Sequence, residues 1–183
     1  APIFINRSGY VEEFYCSFSY TPIVNETQGV EGVFATIPET SMRVIGERRL
    51  QTLQKIGAST RHARSPTETL KFVADVIAKN AADIPFATFY LLDQGTDSAQ
   101  LCARANIDRD MAFAAQTIRI EDTDHKLGYF HTEATPQVAR VGVSRFNITR
   151  IEIDEKIRPL PHGTWQIEPI EFLAIPLLPA GID

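Results

Sequence analysis

The sequence predicts an α+β protein, and three stretches carry that prediction. Residues 11–21, "VEEFYCSFSYT", place aromatic side chains at alternate positions, the period of two that a strand needs. Residues 42–64 contain no proline and repeat apolar positions at three- and four-residue spacing, the period of a helix. Residues 86–93, "FATFYLLD", are apolar on both alternating faces and return after the turn "QGTDS" as "AQLCARANI". Strands followed by helices and then by strands again, without strict alternation, belong to the α+β class.

In the first run Phe14, Cys16, Phe18 and Tyr20 share one side, with Tyr15, Ser17 and Ser19 on the other. The segment "PIVNETQG" brings the turn chemistry of Pro22, Asn25 and Gly29 before "VEGVFATI", so the two runs form an antiparallel hairpin whose loop is longer than a tight turn. Two strands do not hold together alone in water. The rest of their sheet therefore lies in further sequence or later in the chain. The opening "APIFINRSGY" reads as the inside of a fold, which fits a piece of a longer protein.

Pro38 ends the hairpin, and Thr40 or Ser41 can cap the helix that follows. Leu50, Leu53, Gly57 and Thr60 follow a 3-4-3 spacing, with Ile56 beside them and Met42 and Ile45 upstream; Glu47, Arg48, Arg49, Gln51, Gln54, Lys55 and Arg61 fill the rest. Such a narrow stripe fits two arrangements equally. One is a surface helix laid on its own domain; the other is a connector whose seam of Ile45, Leu50, Leu53, Ile56, Gly57 and Thr60 pairs with the same seam of a second chain. Gly46 and Gly57 each lower the helix preference by about 1 kcal/mol relative to alanine. Arg61 and His62 at its end offset the helix dipole, which explains His62 more cheaply than phosphoryl acceptance does.

A second helix begins at Ser65, where Ser65, Pro66 and Glu68 compose a capping box, and Leu70, Val73, Ala74 and Ile77 share its inner face. The doubly apolar "FATFYLLD" is expected to be a central strand covered by helices on one side and by loops or a pocket on the other. In the returning strand Leu101 and Ala103 oppose Cys102 and Arg104. Further on, residues 116–120 and 148–153 read as short strands among irregular segments, "RPLPHGTWQIEP" as a proline-rich loop, and "IEFLAIPLLPAG" as a last strand interrupted at Pro176.

A net charge of -5 leaves no basic footprint for nucleic acid. The longest apolar runs are strand-sized, so a soluble chain without membrane contact is expected. Cys16 and Cys102 each sit in an alternating run, the ordinary address of a buried thiol, and a reducing cytoplasm fits them better than a disulfide. The densest polar cluster, "EDTDHKLGYFH", holds Glu121, Asp122, Asp124, His125 and His131. A ligand-free dimerisation scaffold is one alternative function and a metal-dependent hydrolase built on the His125 and His131 region another, but for the latter the spacing matches neither a zinc helix nor a calcium loop, and a solvated loop explains it better. No phosphate-cradling glycine loop and no nucleophile elbow occurs, Cys102 has no histidine near it in sequence, and no cofactor is called for. Trp165 either lines a pocket or closes the sheet's own core.

The stretch "VEEFYCSFSYTPIVNETQGVEGVFATIPETSMRVIGERRL" resembles the last two strands of a PAS domain followed by a coiled-coil signalling helix, with Glu39-Thr40-Ser41-Met42-Arg43 standing where that family carries Asp-Ile-Thr-Glu-Arg. The remainder, from "RLQTLQKIGAS" to "EFLAIPLLPAG", is similar to a GAF domain of the kind placed ahead of a histidine kinase or phosphatase output domain. The resemblance implies three parts: residues 1–38, a partial PAS hairpin; 39–64, a signalling helix; and 65–183, a GAF domain truncated at its C-terminus, with an antiparallel sheet and flanking helices. It further implies a homodimer through the helix, no catalysis in this piece of a two-component protein, and an unknown small-molecule ligand or none on the GAF sheet. Phe89, Leu91, Cys102, Arg104 and Trp165 are the expected pocket residues. The residue sets that bind cyclic nucleotides or attach bilins in that family are absent, so neither ligand carries over.

Overall fold

The computed structural model describes residues 2–93, 95, 98–109, 111–120, 138–141, 149–152, 159–165, 167–169 and 171–177. Among the described residues it is a mixed α+β structure of two α-helices and small, mainly antiparallel sheets. The chain divides into two compact units, Ala1–Leu53 and Gln54–Asp183. No helix among the described residues is long and apolar enough to cross a membrane.

In the first unit β1 (Ile3–Asn6) pairs antiparallel with β2 (Val11–Phe14), and β3 (Ser19–Val24) pairs antiparallel with β4 (Val30–Thr36). The single strand expected over residues 11–21 is thus two strands, because the chain changes neighbour at Tyr15. Up to Phe14 its partner is β1; beyond it the partner is the segment leading into the first helix. Tyr15 accepts from the Thr40 amide at 2.7 Å, Cys16 opposes Glu39, and the Ser17 amide donates to the Pro38 carbonyl at 3.1 Å. β3 then runs through Pro22, where a turn was expected to begin. The turn starts instead at Asn25, whose Oδ1 accepts from the Thr27 amide, the Thr27 hydroxyl and the Gly29 amide at 3.0, 2.8 and 2.7 Å, while Gln28 takes a positive φ of 63°.

Helix α1 (Ser41–Ser59) is followed by a 3₁₀ turn, Thr60–His62. Ser41 is buried, and its hydroxyl accepts from the Tyr15 amide at 3.0 Å. That hydroxyl therefore ties the helix start to the strands.

In the second unit α2 (Pro66–Ile77) starts as its sequence requires: Ser65 Oγ accepts from the Glu68 amide at 3.2 Å. The Glu68 carboxylate reaches back to the Arg64 amide at 2.7 Å, one residue beyond the usual box. Four strands, β5 (Ala87–Leu92), β6 (Ser98–Ala105), β7 (Thr117–Ile120) and β8 (Val138–Val141), form a sheet in that order, antiparallel except for β7 and β8. β9 (Thr149–Glu152) and β10 (Glu171–Ala174) form a separate antiparallel pair. β5 is not central; it stands at one edge of the described sheet. Apolar residues on both faces marked a strand covered above and below, which β5 is, and say nothing of neighbours along its edges.

A bulge at Cys102 decides which side chains face which core. Phe89 opposes Ala103 and Tyr90 opposes Leu101, leaving Cys102 as the extra residue. Ala103 and Ala105 consequently face α2, in a core with Ala74, Ile77, Ile56 and Phe89. Leu101 instead packs with Ile107, Phe113, Ala114 and Leu160, and Ala99 with Ala115, Ile118 and Tyr90. Phe172 joins both of the latter clusters, its ring edge-on to Phe113 with centroids 4.6 Å apart.

Candidate functional site

Helix α1 has two unlike faces. With about 3.6 residues per turn, Ser41, Ile45, Arg48, Thr52, Ile56 and Thr60 fall on one side, buried or half-buried, whereas Met42, Gly46, Leu50, Leu53 and Gly57 fall on the other and are exposed. Met42, Leu50 and Leu53 are 87%, 56% and 66% exposed, and nothing lies within 4 Å of where a Cβ would stand on Gly46 or Gly57. The six expected seam residues therefore do not share a face. Leu50, Leu53 and Gly57 belong to the open stripe, which Met42 and Gly46 extend. Ile45, Ile56 and Thr60 turn inward, Ile56 into the core under α2.

The start of α1 is fastened to β1 and β2 by two ion pairs that sequence reasoning missed. Arg7 grips Glu39 with both prongs, Nη1 to Oε2 at 2.8 Å and Nη2 to Oε1 at 3.1 Å, and its Nε reaches Glu12 at 3.3 Å. Its guanidinium lies 6.0 Å from the centre of the Phe14 ring. The hydrogen bond from Arg7 holds the Glu39 carboxyl below the usual carboxylate range, and the same bond raises the guanidinium's own pKa. Two turns into the helix, Arg48 meets Glu13 at 2.8 and 3.1 Å; Glu13 is 6% exposed. The signal available for this second pair was a pair of adjacent carboxylates, Glu12 and Glu13, at the start of an otherwise uncharged aromatic run.

The five expected pocket residues are dispersed. Phe89 packs toward α2, and Leu91 shares its side of β5 by alternation. Cys102 occupies the bulge, its thiol donating to the Gln100 carbonyl at 3.5 Å. Arg104 sits opposite Thr88, with its guanidinium on the Ile107 carbonyl. Trp165 donates its indole N–H to the Ala82 carbonyl, in the connection from α2 to β5, so it fastens a loop rather than joining Phe89 and Leu91. Both cysteines are free and half-buried, where full burial was expected of strand thiols; one sits at a bridge between strands and the other in the bulge, and neither place is a core position.

A polar row crosses the sheet near the β5–β6 turn. Asp93 accepts from Ser98 at 3.2 Å and from Gln100 at 3.4 Å, and Gln100 in turn accepts from Thr117 at 3.0 Å. These residues satisfy one another across β6 and β7. His125 and His131 lie outside the described residues. Among the described residues no three His, Cys, Asp or Glu side chains gather closely enough to hold a metal ion.

No family model, curated protein or solved structure matches the chain.

Proposed function

We propose that the chain is a non-catalytic sensory or relay piece of a two-component signalling protein. In this reading residues 1–38 close the sheet of a PAS domain, residues 39–64 are a signalling helix, and residues 65–183 are a GAF domain truncated at its C-terminus. The observation that carries it is the exposed stripe Met42, Gly46, Leu50, Leu53 and Gly57 on α1. Apolar side chains and glycines at 4-4-3-4 spacing along one open face of the helix make a seam for an identical helix, and the two glycines let the partner approach closely. The resemblance of Glu39 to Arg43 to the PAS junction supports the same assignment.

The ionic fastening gives the relay its mechanical part. Arg7 with Glu39, Tyr15 with Ser41 and Glu13 with Arg48 couple the strands of the first unit to the first two turns of α1. A displacement of those strands on ligand binding then pulls on the helix and shifts its register against its partner. Light scattering over a concentration series tests the dimer; a chain that stays monomeric at about 0.5 mM, far above the dissociation constant of an obligate dimer, overturns the reading.

A further inference from the structure

Two clamps hold α1 to the strands of the first unit, and they divide two adjacent carboxylates of β2 between them. Successive side chains of a strand point to opposite faces. Glu12 accordingly meets Arg7, in the clamp that closes on Glu39, while Glu13 meets Arg48. The clamps grip the helix at different places. Glu39 precedes the first helical residue, Ser41, whereas Arg48 lies seven residues beyond it, about 10 Å along the axis at about 1.5 Å per residue. A helix tied only at its end can still swing and turn about that end. A second tie further along fixes both its direction and the side it turns inward.

The clamps also differ in strength. The side chains of Arg7 and Glu39 are 48% and 38% exposed, and an ion pair so open to water shifts an equilibrium by about fivefold at most. Those of Glu13 and Arg48 are 3% and 24% exposed. Removing one partner of such a pair strands the charge of the other, a loss of about a hundredfold or more, whereas replacing both by apolar groups of similar size is often close to neutral. The value of this pair therefore lies in the one geometry it permits, more than in stability.

We propose that Glu13 is a positioning residue: through Arg48 it sets which face of α1 turns inward, and the Arg7 clamp on Glu39 does not. With Arg48 held, Ile45 and Thr52 on the same line turn inward too, and Leu50 and Leu53 are left open. The setting of the helix is a property of the single chain. Its consequence, that a movement of β2 reaches the seam through Glu13, rests on the signalling-helix reading given above.

The test is hydroxyl-radical footprinting of the full chain, which reads the inward face from the labelling of single side chains. It is run in dilute solution on protein shown by sedimentation to be monomeric, so that failure of the dimer reading leaves it standing. Wild type should label Leu50 and Leu53 faster than Ile45. The paired replacement Glu13→Leu with Arg48→Met should lose that preference while the unit stays folded by circular dichroism, and Arg7→Gln with Glu39→Gln should keep it. Because Glu13→Leu can unsettle β2, a second arm compares Arg48→Gln with Arg48→Lys, which keeps the charge; the preference should be lost in the first and largely restored in the second. A preference unchanged in the folded Glu13 and Arg48 variants overturns the proposal, as does an equal loss in the Arg7 and Glu39 variant. Unfolding of the first unit in every Glu13 and Arg48 variant makes the pair structural, and this overturns it as well.

Discussion

Trp165 donates its indole N–H to the carbonyl of Ala82 across 2.8 Å, tying the 159–165 loop to the connection between α2 and β5. Gly163 makes that approach possible. It holds a φ of +63°, and a Cβ on it would collide with the carbonyl oxygen of Ala81. Gly163→Ala is therefore expected to destabilise the second unit by about 2 kcal/mol or more, combining steric overlap with backbone strain. Trp165→Phe keeps most of the apolar body and removes the donor, for a loss of about 1 kcal/mol. Urea unfolding of the two variants checks the order; equal stability of Gly163→Ala and wild type would show that the loop does not dock.

Leu53→Lys puts a charge into the open stripe of α1 without touching either core. Dimerisation should weaken by at least about tenfold, the effect of roughly 1.4 kcal/mol, with the unfolding midpoint of the monomer unchanged. Sedimentation of the variant beside wild type distinguishes this from a general loss of fold.

The Arg7 and Glu39 pair makes the first unit sensitive to acid. Glu39 has a folded pKa below its unfolded value, so its contribution is complete above the ordinary glutamate range, near 4.3, and is lost as pH falls through the lower folded value. Glu39→Gln should flatten that part of the stability profile while leaving neutral-pH stability slightly reduced. Chemical denaturation between pH 7 and acid, monitored on the first unit, checks it; identical profiles for the two proteins would refute it.

Tyr90 behaves in the opposite direction. Burial raises its phenol pKa, and its hydroxyl lies 2.9 Å from the Ala115 carbonyl and 3.3 Å from that of Phe113. Stability from the neutral phenol is present below the unfolded value, near 10, and is lost as pH rises toward the folded one. One of the five tyrosines in the sequence should thus ionise late in an absorbance titration, and Tyr90→Phe should remove that phase at a cost of about 1–2 kcal/mol.

Local chemistry was the most legible part of the sequence. The capping residues Ser65, Pro66 and Glu68 announced α2 because their signal lies within four residues. The strands near 117–120 and 149–152 were visible from alternation alone. What stayed hidden depends on partners distant in sequence. Nothing in "APIFIN" identifies Phe14 as the residue opposite Ile3, so β1 passed unnoticed and β2 was fused to β3. Spacing alone makes the stripe on α1 too wide, because it does not say that Ile56 is claimed by Ala74 and Ile77. The pocket residues scattered for a related reason: counting alternate positions along β6 assumes an unbroken pleat, and Cys102 breaks it.

That break also limits how this region can change. Replacing the cysteine with serine or alanine is a minor repair, and excising it merely irons out the kink, because Leu101 stays opposite Tyr90 and Ala103 opposite Phe89. An extra residue after Ala103 is another matter: Ala105 would turn its back on α2 and take away part of that helix's floor. The thiol and its place in the count are both dispensable; the spacing of Ala103 and Ala105 is not.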